Sequence, residues 1–139
     1  MTAGESYSNS TTSLLSGRDA IRRAASEARR FGEEHGFGSD ETARLCVVVE
    51  ELVANLYDHG GLNERDEIEL TLASDELAIL IVIADRGRPF DPRSAPQSTE
   101  RPERGGGAGI DIVRAWAQFI DYSATADGNR LELLLPRRR

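Results

Sequence analysis

Apolar residues recur at helical spacing in two segments of the first half of the chain. From Arg18 to about His35 they fall three and four residues apart, at Ile21, Ala24, Ala25, Ala28 and Phe31. This spacing lines one face of a helix, and Gly36 and Gly38 would end it. A second helix is predicted from Ser39, a suitable capping residue, to Gly60-Gly61. Its apolar face consists of Leu45, Val48, Val49, Leu52, Val53 and Leu56.

Downstream, the period of the pattern changes from helical to two. Ile68, Leu70 and Leu72 alternate with polar residues, which is typical of a half-buried strand. The run from Leu77 to Ala84 is continuously apolar and rich in Ile and Val, as expected for a central strand. A stretch rich in Gly, Pro, Arg and Ser follows, over about 86–107. So long a loop in a small domain is usually a functional lid or a disordered segment.

The last third of the chain predicts one helix and a hairpin. The helix fits Ala108 to about Gln118, and strands fit about Ile120 to Thr125 and Arg130 to Leu135. Asp127-Gly128-Asn129 is a good hairpin turn between them. The order of elements predicts an α+β two-layer sandwich, with the helices on one face of a mainly antiparallel sheet.

Length and charge narrow the class of protein. The chain has 139 residues and a net charge of −7, so we expect one soluble domain over 16–139 and no direct nucleic-acid binding. Residues 1–15 read as a flexible segment, with a first strand as the alternative. We find no signal peptide and no run long enough to span a membrane, which predicts a cytoplasmic protein. The single cysteine, Cys46, is predicted to be a buried, inert thiol.

The second helix carries the first candidate site residues. Glu51, Asn55 and His59 follow one another at steps of four, which places them along one side of the helix. Asn55 has apolar neighbours, and a buried amide needs a partner because an unsatisfied one costs about 1–3 kcal/mol. A hydrated metal ion is one such partner. Alternatively, these residues lie at the wet edge of an amphipathic helix.

Two Gly-containing segments supply further candidates. Asp85 comes directly after the central strand, where a carboxylate can accept a hydrogen bond from an amino group, and Gly87 would let the backbone approach a flat ligand. The segment Gly105 to Ile110 opens the third helix, where free N–H groups and the helix dipole favour phosphate. Taken singly, the first segment could be an ordinary turn and the second a flexible linker.

Taken together, these segments resemble the GHKL family of ATPases, which includes histidine kinases, gyrase and MutL. The resemblance covers the chain from about Ser16 to Pro136. Glu51-x3-Asn55 resembles the first box of the family, Asp85-x-Gly87 the second, and Gly105 to Gly109 the third. The segments Glu51-x3-Asn55-x3-His59-Gly60 and Gly87-x-Pro89-Phe90-Asp91-Pro92 are similar to the branch of anti-sigma factor serine/threonine kinases.

The resemblance implies a Bergerat-type fold that binds ATP and Mg²⁺. It implies that Asn55 binds the Mg²⁺ ion, and that Glu51 acts as general base or orients the attacking hydroxyl. It also implies that Asp85 receives a hydrogen bond from the adenine amino group. The remaining nucleotide-binding positions that it implies are Gly87, Gly105, Gly107, Gly109 and Ile110. The threonine that the family carries in its last strand pair has no clear counterpart near Gly128-Asn129-Arg130, which leaves part of the adenine pocket unassigned.

The resemblance also implies a function and partners. We expect a protein kinase that transfers the γ-phosphate of ATP to a serine or threonine of an antagonist (anti-anti-sigma) protein. We further expect it to sequester a sigma factor, with a homodimer as one arrangement. The alternative is a regulatory module that binds ATP and a partner without phosphotransfer, since both functions need the same pocket. A detached histidine-kinase catalytic domain is a third reading.

Overall fold

The computed structural model describes residues 7–16, 19–63, 65–94 and 109–137. Five strands, three α-helices and one turn of 3₁₀ helix make up this part of the chain. The helices are α1 (Ala20–Glu34), α2 (Ser39–His59) and α3 (Gly109–Trp116), and the 3₁₀ turn is Pro92–Ser94. The strands are β1 (Asn9–Ser16), β2 (Glu67–Ser74), β3 (Ala78–Asp85), β4 (Gln118–Thr125) and β5 (Gly128–Pro136).

The five strands form one antiparallel sheet in the order β1-β2-β3-β5-β4. The continuously apolar strand β3 lies at the centre, as its composition predicts. The β3–β5 register pairs the last residue of β3, Asp85, with Asn129 near the start of β5. That register brings two buried polar residues together at one end of the sheet.

Alternation along the strands assigns the two faces of the sheet. One face packs against the helices and forms the main core, whose strand residues include Ile68, Leu70, Leu72, Ile79, Ile81, Ile83, Leu131, Leu133 and Leu135. The helices bury Phe31, Leu45, Val49 and Val53 against this face. A smaller cluster on the other face contains Ala73, Leu80 and Val82. The structure is therefore the α+β two-layer sandwich that the sequence predicts.

Element bounds differ from the prediction where local hydrogen bonds decide them. The Asp75 carboxylate accepts hydrogen bonds from the backbone N–H groups of Leu77 and Ala78, at 2.8 and 2.9 Å. This turn delays β3 by one residue and leaves Leu77 exposed. Gly38, not Ser39, is the residue at the N-cap of α2, and its N–H donates to Glu41 Oε1 at 3.3 Å.

Strand β1 lies within the segment whose sequence reads as flexible with a strand as the alternative. It pairs with the full length of β2, from Asn9 opposite Ser74 to Ser16 opposite Glu67. The Thr12 and Thr71 hydroxyls are 3.0 Å apart across the pair. Strand β1 depends on pairing with β2, because its own residues are mostly small and polar.

The end of β5 is anchored to the start of α2. The Arg137 guanidinium forms an ion pair with Glu41 at 2.9 Å and donates to the Asp75 carbonyl at 2.9 Å. It also lies over the Phe37 ring, 4.3 Å from its centroid. Arg137 therefore ties the last strand to the helix that carries the candidate site.

Cys46 is half-buried between the first two helices. Its Sγ atom donates a weak hydrogen bond to the Ala25 carbonyl at 3.5 Å, and its side chain packs against the main core. Burial raises the pKa of the thiol. A thiol that stays protonated is a poor nucleophile, as expected for an inert cysteine, but Cys46 is half-buried and not buried as predicted.

Candidate functional site

Helix α2 presents Glu51 and Asn55 on one side, both half-buried. Asn55 lines a pocket together with Leu52 and Leu56, which belong to the apolar face of the helix. The Asn55 Nδ2 atom is buried and has no hydrogen-bond partner within the described part of the chain. A buried donor without a partner costs about 1–3 kcal/mol, so the Asn55 amide lowers the stability of the fold.

Asp85 ends β3 at the opposite side of the same pocket and is 7% exposed. Its Oδ1 atom accepts hydrogen bonds from the Gly87 N–H at 2.8 Å and from Asn129 Nδ2 at 3.0 Å. The carboxylate is therefore buried with two donors on one oxygen. Its second oxygen, Oδ2, has no hydrogen-bond donor among the described residues.

The pocket between these residues is a shallow depression that opens to solvent. Its lining is mainly apolar, with polar groups from Asn55, Asp85 and Tyr122, and its other lining residues are Leu52, Leu56, Ile83, Phe90, Pro92 and Leu131. An apolar slot with a few polar groups suits a flat, partly polar ligand.

The chain that leaves β3 folds back against the end of α2. The Arg88 N–H donates to the Gly60 carbonyl at 2.8 Å, and Arg88 Nη2 donates to the His59 carbonyl at 3.3 Å. A Cβ atom at Gly87 would lie 2.5 Å from the Gly60 oxygen. Only glycine permits this approach, so Gly87 and Gly60 together fix the path of the loop.

Tyr122 on β4 holds the next part of this loop. Its hydroxyl accepts a hydrogen bond from the Phe90 N–H at 2.9 Å, and the Phe90 ring lies 5.5 Å from the His59 ring. Burial raises the pKa of Tyr122, and the Asp85 and Asp91 carboxylates act in the same direction, against the Phe90 hydrogen bond. The phenol therefore stays neutral and keeps a hydrogen to donate.

Helix α3 begins against the Glu51 side chain. A Cβ atom built at Gly109 would overlap the Glu51 carboxylate, and both Gly109 and Ile110 are buried. Further along α3, Arg114 Nη2 donates to the Arg93 carbonyl at 2.9 Å and to the Pro92 carbonyl at 3.3 Å. The start of α3 therefore contacts the Glu51 side chain of α2, and its next turn contacts the 3₁₀ helix Pro92–Ser94.

The structure therefore brings most of the predicted site residues to one end of the sheet. Asn55 and Asp85 line the pocket, Gly87 lies beside Asp85, and Glu51 lies beside Gly109. Ile110 follows in α3. Gly105 and Gly107, and with them most of the predicted lid, lie outside the described residues.

Two polar residues at the site have no role in the sequence prediction: Tyr122 lines the pocket, and Asn129 donates a hydrogen bond to the pocket residue Asp85. Their positions depend on which strands lie side by side, and the chain order does not give that pairing. In the sequence, the only hint of a role for Asn129 is its place as a polar residue in a turn that an alternating strand follows. Its register with Asp85 could be inferred only after β5 was placed next to β3.

A magnesium ion can be tested against these residues. No three His, Cys, Asp or Glu side chains group together as metal ligands among residues 7–16, 19–63, 65–94 and 109–137. Mg²⁺ takes few protein ligands and keeps several waters. An amide can present either oxygen or nitrogen to the same space, so the orphaned Asn55 amide suits one such ligand when a phosphate supplies the rest.

In the described part of the chain, we find no helix with the length and apolar character needed to cross a membrane.

Comparisons with known proteins agree with this architecture. Residues 16–135 match the family profile of the histidine kinase-like ATPase domain. A search of curated proteins finds no match. Two nucleotide-free crystal forms of the catalytic domain of histidine kinase ThkA are similar in structure at 14% identity. One has a TM-score of 0.50 and covers 91% of this chain and 98% of that chain. The other has a TM-score of 0.49 and covers 91% and 97%.

At such low identity the likeness to the ThkA structures concerns the fold, which is two-layered in the present chain. The profile match extends over most of the chain and includes every element from α1 to β5. This chain therefore belongs to the family of histidine kinase-like ATPase domains.

Proposed function

We propose that this domain binds ATP with Mg²⁺ in the pocket between α2 and β3 and transfers the γ-phosphate to a serine or threonine of a partner protein. One observation carries the proposal: a single apolar pocket holds the unpaired buried amide of Asn55 and the buried carboxylate of Asp85. Within the described chain, Asn55 Nδ2 lacks an acceptor and Asp85 Oδ2 lacks a donor. A phosphate oxygen of ATP would accept from Nδ2, or Mg²⁺ would bind the amide oxygen if the amide were turned over, and the adenine amino group would donate to Asp85.

The Asp85 end of the pocket fits the adenine base. Leu52, Ile83 and Leu131 supply apolar surface for a flat ring. The Asp85 carboxylate can accept a hydrogen bond from an exocyclic amino group. A carboxylate in a buried site holds such a donor more strongly than a neutral acceptor would.

The Asn55 end of the pocket fits the phosphates. Asn55 would hold a hydrated Mg²⁺ ion, which supplies charge neutralisation and in-line alignment of the phosphates when bound. The N-terminus of α3 lies nearby, against Glu51, and its N–H groups favour an anion. The chain itself would therefore supply the Asn55 amide as a metal ligand, the N-terminus of α3 for the phosphates and a buried pocket for the base.

Glu51 lies one helical turn from Asn55, which is the place for the acid of a phosphotransferase. In the proposed reaction, Glu51 accepts the proton of the partner's hydroxyl as that oxygen bonds to the γ-phosphorus. The bond from the γ-phosphorus to its bridging oxygen breaks, and ADP leaves. Phosphoryl transfer depends mainly on positioning and charge neutralisation, so one oriented carboxylate is sufficient.

The partners follow from the resemblance to the anti-sigma branch. The segments around His59-Gly60 and Pro89-Phe90, on which that resemblance rests, are in contact with each other through Arg88 and the His59 ring. We propose an anti-anti-sigma protein as phosphoacceptor and a sigma factor as the sequestered protein. A module that binds ATP and a partner without phosphotransfer remains the alternative.

A pair of neighbouring variants separates the two functions. Glu51→Gln removes the acid, whereas Glu50→Gln is a matched control because Glu50 is exposed on the same helix. Both are incubated with ATP labelled at the γ-phosphate and with purified anti-anti-sigma proteins from the same cell. A kinase loses phosphotransfer in Glu51→Gln alone while ATP binding persists. Binding of ATP without transfer in the unmodified protein supports the alternative.

A further inference from the structure

Asn129 occupies the position that the sequence leaves unassigned. It is 5% exposed and stands directly opposite Asp85 in the β3–β5 pair. Its Nδ2 atom donates to Asp85 Oδ1 at 3.0 Å and to the Gly87 carbonyl at 2.9 Å, with the Arg88 carbonyl 3.5 Å away. The amide thus bridges the buried acid and the loop that follows it.

These bonds fix the orientation of the Asp85 carboxylate. Two donors, Asn129 Nδ2 and the Gly87 N–H, converge on Oδ1 at 3.0 and 2.8 Å. Turning the carboxylate would break both bonds and leave the buried Asn129 amide without this acceptor. Oδ2 therefore keeps one direction in which it can accept a hydrogen bond from a ligand.

A fixed acceptor distinguishes between purines. A 6-amino purine offers an N–H donor at the base edge, whereas a 6-oxo purine offers a carbonyl oxygen that repels a carboxylate. An unrestrained carboxylate could turn to the N1–H and 2-amino donors of guanine instead. The two hydrogen bonds to Oδ1 prevent this rotation, because it would leave the Asn129 amide and the Gly87 N–H buried without that acceptor.

We infer that Asn129 is a positioning residue that holds the Asp85 carboxylate for a 6-amino purine and so sets the preference of this pocket for adenine over guanine nucleotides. This inference rests on the proposed ATP-binding function. Asn129 also donates to the Gly87 carbonyl, so one side chain holds both the acid and the loop that follows it.

The role of Asn129 can be tested with a purine nucleotide that lacks the 6-amino group. Affinities of the full chain are measured by calorimetry for ATP, GTP and purine riboside triphosphate, which lacks the 6-amino group. The unmodified protein should prefer ATP to purine riboside triphosphate by about tenfold or more, since a hydrogen bond to a charged group is worth about 1.5–3 kcal/mol. In Asn129→Ala that ratio should fall towards one, and the ratio of ATP to GTP affinity should fall with it.

Controls separate positioning from general damage. Arg130→Ala changes the next residue of β5, which is exposed, and should leave both ratios unchanged. Asn129→Thr retains a donor and should keep part of the preference, and it serves also if Asn129→Ala does not fold. Melting curves of each variant report folding independently.

These measurements distinguish a failure of the role proposed for Asn129 from a failure of the proposed ATP-binding function. If the unmodified protein binds ATP but Asn129→Ala weakens all three nucleotides equally, or none, Asn129 is structural and the inference is wrong while the proposed function stands. Equal affinity of the unmodified protein for ATP and purine riboside triphosphate would also overturn it. If the unmodified protein binds no nucleotide, both proposals fall.

Discussion

At the scale of single residues, Asn55 costs stability, and we propose that its purpose is to bind a ligand. Its Nδ2 atom is buried without a partner in the described chain, and its neighbours Leu52 and Leu56 are apolar. A core selected for stability alone would place an apolar side chain here. The orphaned amide is therefore the clearest sign that a ligand completes this site.

Replacing Asn55 should separate stability from binding. Asn55→Leu is similar in size and removes the unpaired donor, so we expect the free energy of unfolding to rise by about 1 kcal/mol while magnesium-dependent ATP binding is lost. Denaturant unfolding and calorimetry measure the two effects. A clear loss of stability, or ATP affinity that still depends on Mg²⁺, would contradict the assignment.

Gly109 leaves room for the Glu51 carboxylate. A Cβ atom there would overlap this carboxylate, which is the free end of a flexible side chain and can shift, so Gly109→Ala should destabilise the fold by only about 1 kcal/mol, the low end of overpacking costs. The double variant with Glu51→Ala removes the overlapping carboxylate and should recover most of this loss. Unfolding free energies of the two single variants and the double variant test the contact. Additive losses would show that the two residues do not meet.

At the scale of elements, α2 links the site to the rest of the fold. Its first turn is held by the Arg137–Glu41 ion pair, whose side chains are 20% and 12% exposed. Its later turns carry Glu51 and Asn55, and its last residue contacts Phe90 of the loop after β3. One straight helix thus connects the end of β5 to the pocket.

The Arg137–Glu41 pair should make stability depend on acid. The hydrogen bond from Arg137 holds the pKa of Glu41 below its ordinary value, against burial, which raises it. This stabilisation is present above about pH 4.3, the pKa of an unfolded Glu, and is lost as the pH falls through the lower pKa of the folded state. Arg137→Met should cost about 1–2 kcal/mol at pH 7, and the difference from the unmodified protein should shrink below about pH 4.

An exposed pair on β5 itself serves as the control. Arg130 and Glu132 are 2.8 Å apart, with side chains 43% and 22% exposed. Solvent screens such a pair, so Arg130→Met should change stability by less than about 1 kcal/mol. Equal costs for Arg137→Met and Arg130→Met, or a cost for Arg137→Met that does not change with pH, would rule out the proposed anchor.

Local pattern predicted some elements well and others poorly. Helix α2 and strand β3 have long, regular apolar patterns, so their type and most of their bounds follow from the sequence. Strand β1 lacks such a pattern because pairing with β2, over fifty residues away, stabilises it. Asn129 and Tyr122 were missed for the same reason: strand pairing between distant segments brings Asn129 to Asp85 and Tyr122 to the pocket, whereas Glu51 and Asn55 share one helix.

At the scale of the whole molecule, both layers contribute residues to the candidate site. The helical layer provides Glu51 and Asn55, and the sheet provides Asp85, Tyr122 and Asn129. Because each layer supplies part of the site, a bound ligand should stabilise the contact between them. Saturating ATP with Mg²⁺ should therefore raise the melting temperature, by about 2.7 kcal/mol of added stability at 100 times the dissociation constant.

Calorimetric titration of the purified protein with ATP, with and without Mg²⁺, measures whether the pocket binds the magnesium nucleotide. We expect saturable binding that strengthens markedly with Mg²⁺, because Asn55 supplies the one protein ligand that we assign to the ion. Binding that is absent, or equal with and without Mg²⁺, would contradict it.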